Sequence, residues 1–141
     1  VVNARFLLDT NVLSEPARVR PNAQVLKKME RHQDEVATAS VVWHELVYGC
    51  RRLPPSEKRE LLERFLSDLL GSSLAILPYD EQAAEWHGGE RARLARKGLT
   101  PAFADGQIAA IAKSNGLVLV TNNVRNYRHF EGLQMENWHV E

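Results

Sequence analysis

At 141 residues the chain is long enough for one core and too short for two of ordinary size, so residues 1–141 are read as a single domain. With 44% hydrophobic and 26% charged residues, and only 8 Gly and 6 Pro, the composition excludes a disordered or fibrous chain. Eighteen Lys and Arg balance eighteen Asp and Glu, so a nucleic-acid role has to rest on a local basic patch and not on a general surplus of positive charge.

Along the chain, short apolar runs alternate with longer helical patterns. Phe6-Leu7-Leu8 predicts a buried strand that ends in the turn or helix start Asp9-Thr10-Asn11. Residues 22–33 predict a helix with Val25, Leu26 and Met29 on one side. Residues 36–39 predict a second strand, and Ser40 reads as the cap of a helix that reaches Cys50. An amphipathic helix over 56–70 is closed by Gly71. A third strand follows at 74–77. Asp80 then caps a long helix reaching Gly98, and Thr100-Pro101 opens another that runs to Gly116. Residues 117–120 form the most strand-like segment, and 135–140 offer an edge strand. This alternation predicts an α/β domain of three layers, a mostly parallel sheet covered by helices on both faces. The lone Cys50 has no intramolecular disulfide partner, no apolar run approaches the roughly 18–20 residues of a membrane span, and no segment reads as a signal peptide. The expectation is a cytoplasmic protein with no membrane role.

In open parallel sheets, ligands bind beyond the carboxyl ends of the strands. Asp9 lies at that end of the first strand, and Thr121-Asn122-Asn123 at the same end of the 117–120 strand. Two further carboxylates interrupt apolar helical patterns. Glu45 shares a face with Val41 and Val42, and Asp105 extends the stripe Ile108, Ala109, Ala112. A buried carboxylate is costly unless a cation or good donors meet it, and no Lys or Arg is within helical reach of Asp105 on that stripe. Taken singly, Asp9 and Asp105 fit helix caps or dipole partners, Glu45 fits a surface glutamate paired with Arg51, Arg52 or Arg64, and residues 121–123 fit an ordinary turn. As a set, they offer hard oxygen ligands without His or Cys, which suits Mg²⁺ or Mn²⁺. The five histidines lack metal-ligand spacing, and no phosphate-binding glycine loop is present.

Four segments carry a family resemblance. Phe6 to Ser14 (FLLDTNVLS), Val42 to Gly49 (VWHELVYG), Ala104 to Ala112 (ADGQIAAIA) and Leu119 to Asn123 (LVTNN) resemble, in order, the four motifs of PIN-domain nucleases, in particular the VapC-type toxins of bacterial toxin–antitoxin pairs. The likeness extends from Phe6 to Trp138. It implies a PIN-like sheet of five strands in the order 3-2-1-4-5. It also implies an Mg²⁺- or Mn²⁺-dependent endoribonuclease whose metal-binding and catalytic acids are Asp9, Glu45 and Asp105, supported by Thr10, Asn11 and Thr121. Many relatives carry an aspartate where this chain has Asn123, so the fourth motif brings an amide oxygen without charge. The implied partners are an RNA substrate, a second copy of the chain in a homodimer, and a VapB-type antitoxin through which alone operator DNA is bound.

An acidic centre repels RNA unless a basic rim offsets it. Arg91, Arg93, Arg96 and Lys97 before the third motif, with Arg125 and Arg128 after the fourth, are the candidates to contact phosphates; solvated helix faces are the alternative. The alternative for the whole chain is a non-catalytic PIN-like module that binds nucleic acid or protein. Asn123 favours it, and retention of Asp9, Glu45 and Asp105 together disfavours it.

Overall fold

Five strands and seven α-helices alternate through residues 3–140, which the computed structural model of the chain describes. Strand β1 is Phe6–Leu8, followed at once by α1 (Thr10–Leu13), a 3₁₀ turn (Glu15–Ala17) and α2 (Ala23–Arg31). Next come β2 (Val36–Ala39), α3 (Ser40–Arg51), α4 (Glu57–Leu70) and β3 (Ala75–Leu77). The second half holds α5 (Glu81–Arg96), α6 (Phe103–Ser114), β4 (Val118–Val120), α7 (Val124–Tyr127) and β5 (Met135–Glu136). The sheet order is β3-β2-β1-β4-β5 and every pairing is parallel.

β1 is central because all three of its side chains are apolar, and in a sheet covered on both faces such a strand buries both faces. Leu7 sits between Ala37 and Leu119, and Leu7 and Leu8 are wholly buried. The chain builds outward from β1 to β3, then crosses back to lay β4 on the other side of β1. That reversal leaves a crevice at the carboxyl ends of β1 and β4, the place where doubly wound sheets bind ligands.

Local chemistry sets most helix starts. Asn22 accepts from the backbone N–H of Gln24 and Val25, Ser56 from Arg59 N–H, and Asp80 from Ala83 N–H, as caps at α2, α4 and α5. The α3 cap differs from expectation. β2 runs straight into α3, so Ala39 occupies the cap position and Ser40 is already helical. Thr100-Pro101 likewise precedes α6 without opening it, since Ala102 is still extended and the helix begins at Phe103. The edge strand is shorter than predicted. Only Met135 and Glu136 pair with β4, after which Trp138 turns into the core against Phe6 and His32, with ring centroids 5.2 and 5.6 Å away. Cys50 is buried, and among the described residues no helix is long and apolar enough to cross a membrane.

Candidate active site

The crevice between β1 and β4 is organised around Asp9, the residue that ends β1 and caps α1 with its own side chain. Asp9 is 5% exposed, and protein donors meet both carboxylate oxygens. Oδ1 accepts from the backbone N–H of Thr10 at 2.8 Å; Oδ2 accepts from the hydroxyls of Thr121 at 2.8 Å and Tyr127 at 3.0 Å. The cap reading of Asp9 is therefore realised, with Oδ1 as the capping oxygen.

Thr121 is held as tightly as the acid it serves. Its oxygen accepts from Asn123 N–H at 3.0 Å and from Asn11 Nδ2 at 3.4 Å, which fills its acceptor positions and leaves its proton for Asp9. Asn11 Oδ1 in turn accepts from Asn122 N–H at 2.9 Å. Asn11 thus clips the loop after β4 to the first turn of α1. Thr10 contributes its backbone N–H, while its hydroxyl is buried without a hydrogen-bond partner.

Asp105 arrives from the first turn of α6 and is half-buried. The Tyr127 hydroxyl lies 3.4 Å from its Oδ1, so one phenol faces two carboxylates. Burial first, then the charge of Asp9, raises the Asp105 pKa, with the Tyr127 contact opposing them. Glu45, on α3, stands at the rim as an exposed residue. Partial burial of its carboxyl and then the charge of Asp9 raise its pKa, opposed by Thr10, with the charge of Asp105 adding a smaller upward push. The three acids thus lie within electrostatic reach of one another, on three separate elements. Among the described residues none of them takes part in an ion pair. Burial and the two aspartate charges push the Tyr127 phenol far above the ordinary range, so it remains a donor.

The donor set has the chemistry of a site for a hard divalent cation: carboxylate oxygens, a threonine hydroxyl nearby, and, among the described residues, no ion pair to any of the three acids. It is not a closed cage. Among the described residues, no three of His, Cys, Asp and Glu converge as a ready-made metal-binding group.

The remaining sequence candidates divide. Asn123 is exposed and contributes its backbone N–H to Thr121; its side chain makes no capping bond to α7. Arg93 is spent inside the fold, donating to both oxygens of Glu90 at 2.9 Å and to the His129 carbonyl at 2.8 Å. Arg91 lies over the Phe103 ring at the start of α6, 4.9 Å from its centroid. Arg96, Lys97, Arg125 and Arg128 are exposed. Beside Glu45, a cleft of about 700 Å³ opens between α3 and α6, lined by Ser40, His44, Tyr48, Tyr79 and Gln107. Tyr127 went unread in the sequence. Its neighbours Arg125, Asn126, Arg128 and His129 are polar, which marks the segment as surface, and only the packing of α7 on α6 turns the ring inward.

A family model for the PIN domain matches residues 6–132 of this chain. The chain belongs to the PIN-domain family. This PIN domain is 37% identical over 136 residues to the tRNA(fMet)-specific endonuclease VapC of Shigella flexneri, covering 95% of this chain and 98% of that relative. Among solved structures, DNA-bound VapBC from Salmonella typhimurium contains a chain with 35% identity and a TM-score of 0.80, covering 96% of this PIN domain and 98% of that chain. FitAcB from Neisseria gonorrhoeae contains one with 31% identity and a TM-score of 0.81, covering 96% and 99%. The strand order expected from the motifs is the order found.

Proposed function

We propose that this PIN domain is a metal-dependent endoribonuclease and the toxin of a toxin–antitoxin pair, with Mg²⁺ or Mn²⁺ held by Asp9, Asp105 and Glu45. The observation that carries the reading is that the Tyr127 hydroxyl contacts both Asp9 and Asp105, while Glu45 on α3 is near enough for their charges to act on it, and among the described residues none of the three takes part in an ion pair. When bound, a divalent cation supplies Lewis acidity toward the phosphoryl oxygens and lowers the pKa of a coordinated water.

The residues divide the remaining work. Asp9 and Asp105 anchor the cation, Asp9 as the fixed point because three donors hold it. Glu45, exposed at the rim, orients the attacking water. Thr121 and Asn11 fix the loop, and Thr10 and Asn123 complete it through their backbones. Arg91, Arg96, Lys97, Arg125 and Arg128 form the rim that offsets the acidic centre for RNA phosphates.

RNA is the substrate class, and tRNA is the first to test because the relative from Shigella flexneri is named for it. The partners are a second copy of the chain and a VapB-type antitoxin. With no net charge of its own, the chain reaches operator DNA only through that antitoxin, as a complex like the DNA-bound VapBC of Salmonella typhimurium. It acts in the cytoplasm.

Incubation of the purified chain with a tRNA pool tests this. Cleavage should appear with Mn²⁺ or Mg²⁺, vanish in EDTA, and be lost in Asp9→Asn. A folded chain that neither binds Mn²⁺ nor cuts any RNA is instead the non-catalytic module.

A further inference from the structure

Counting lone pairs at the site shows how little of Asp9 is left for a cation. A carboxylate offers about four acceptor positions, two on each oxygen. Oδ2 is filled by Thr121 and Tyr127, and Oδ1 already holds Thr10 N–H. One position on Oδ1 remains. The Thr121 bond is forced, because that hydroxyl accepts from Asn123 and Asn11 and has only its proton to give. The Tyr127 bond is not forced in this way. Its single proton faces Asp9 at 3.0 Å and Asp105 at 3.4 Å, from a side chain that is 1% exposed.

We propose that Tyr127 is a positioning residue for the metal site: its buried hydroxyl sits between Asp9 and Asp105 and holds the two carboxylates at a set spacing, so that the acceptor position of Asp9 not taken by a protein donor would face the cation. The inference rests on the metal reading above. A neutral donor suits this place better than a lysine or arginine would, because it steadies two like charges without supplying the positive charge that the cation itself brings. Partners behind first ligands orient them, and losing one typically costs about 10–100-fold in metal affinity.

Tyr127→Phe removes the hydroxyl and keeps the ring. Titration calorimetry with Mn²⁺ alone should show affinity lowered about 10–100-fold. Native affinity in this variant overturns the proposal while leaving the metal reading intact; a native chain that takes up no Mn²⁺ overturns both. A second measurement needs no metal. In EDTA, Tyr127→Phe should lower the melting temperature of the native chain, and lower it less in an Asp105→Asn background, where no second charge has to be held apart. A variant that folds only in the Asp105→Asn background is the same result in extreme form. Equal losses in both backgrounds confine the hydroxyl to its bond with Asp9, with no role in spacing the two acids, and overturn the proposal.

Discussion

A methyl group at position 106 would overlap the imidazole of His87. His87 is 1% exposed, bonded to the Tyr79 hydroxyl at 2.8 Å, and its pKa is lowered by burial and then by Arg91, so it packs as a neutral ring. α5 and α6 therefore touch at the residue beside Asp105, and the position of the acid depends on the absence of a side chain next to it. Gly106→Ala should destabilise the chain by about 1–3 kcal/mol in a denaturant titration, as overpacking does. The loss should be smaller when His87→Ala is already present. A neutral Gly106→Ala would show that the contact carries no strain.

The three acids should respond differently to loss of charge. Asp9→Asn, Glu45→Gln and Asp105→Asn should each remove RNA cleavage, and pairs of them should cost little more than one, because the acids act as a unit. Their melting temperatures should separate. Asp105→Asn and Glu45→Gln relieve repulsion, so in EDTA they should hold or gain a few degrees. Asp9→Asn turns an amide nitrogen toward the Thr10 N–H or toward two hydroxyls, and should lose stability. Cleavage at the native rate in any one variant would remove that residue from the site.

Stability of the metal-free chain should carry opposite pH signatures at two places. The raised pKa of Asp105 means that the folded state holds its proton more firmly than the unfolded state does. Its contribution falls as pH rises from the ordinary aspartate value to the raised one, and the penalty is complete above that. The Asp105→Asn advantage should therefore be greatest at neutral pH and fade in acid. Glu90 runs the other way. Hydrogen bonding from Arg93 lowers its pKa, so its contribution is present above the ordinary glutamate value and disappears as pH falls through the lowered one. Melting curves from pH 3 to 8 on Asp105→Asn and Glu90→Gln separate the two; parallel profiles would contradict both assignments.

Arginine substitutions should sort the rim from the scaffold. Arg125→Ala should reduce the salt dependence of RNA binding by about 0.7–1 in log–log slope, the value of one lost phosphate contact. Arg93→Ala should leave that slope unchanged and lower the melting temperature, since it strips the partner from a Glu90 that is only 9% exposed. The reverse pattern would place Arg93 on the RNA and Arg125 in the fold.

Strand and helix periods were legible where one residue type dominates a face, as in Phe6-Leu7-Leu8 and the apolar stripe of α6. The acids were legible because each breaks such a pattern. Less visible were features that depend on the approach of distant elements. Taken singly Thr121 read as a turn residue, and only the resemblance gave it a supporting role; its bond to Asp9 closes across 112 positions. Tyr127 looked like part of a polar surface segment, and Arg93 like a free charge. Glu15 gave no signal at all, although it is 2% exposed and receives the Asn22 N–H, with the His139 ring beside it. Short-range pattern reports which face of an element is apolar. It does not report which partner that face meets.

The crossing back from β3 to β4 has a consequence during synthesis. Asp9 is made well before two of its three donors, Thr121 and Tyr127, which lie 112 and 118 positions further on, and β4 must dock on β1 before either reaches it. A growing polypeptide carries Asp9, Glu45 and Asp105 in turn without the frame that sets them against one another. A ribosome making this protein, surrounded by RNA, is thus exposed to a finished crevice only once β4 and α7 have been made.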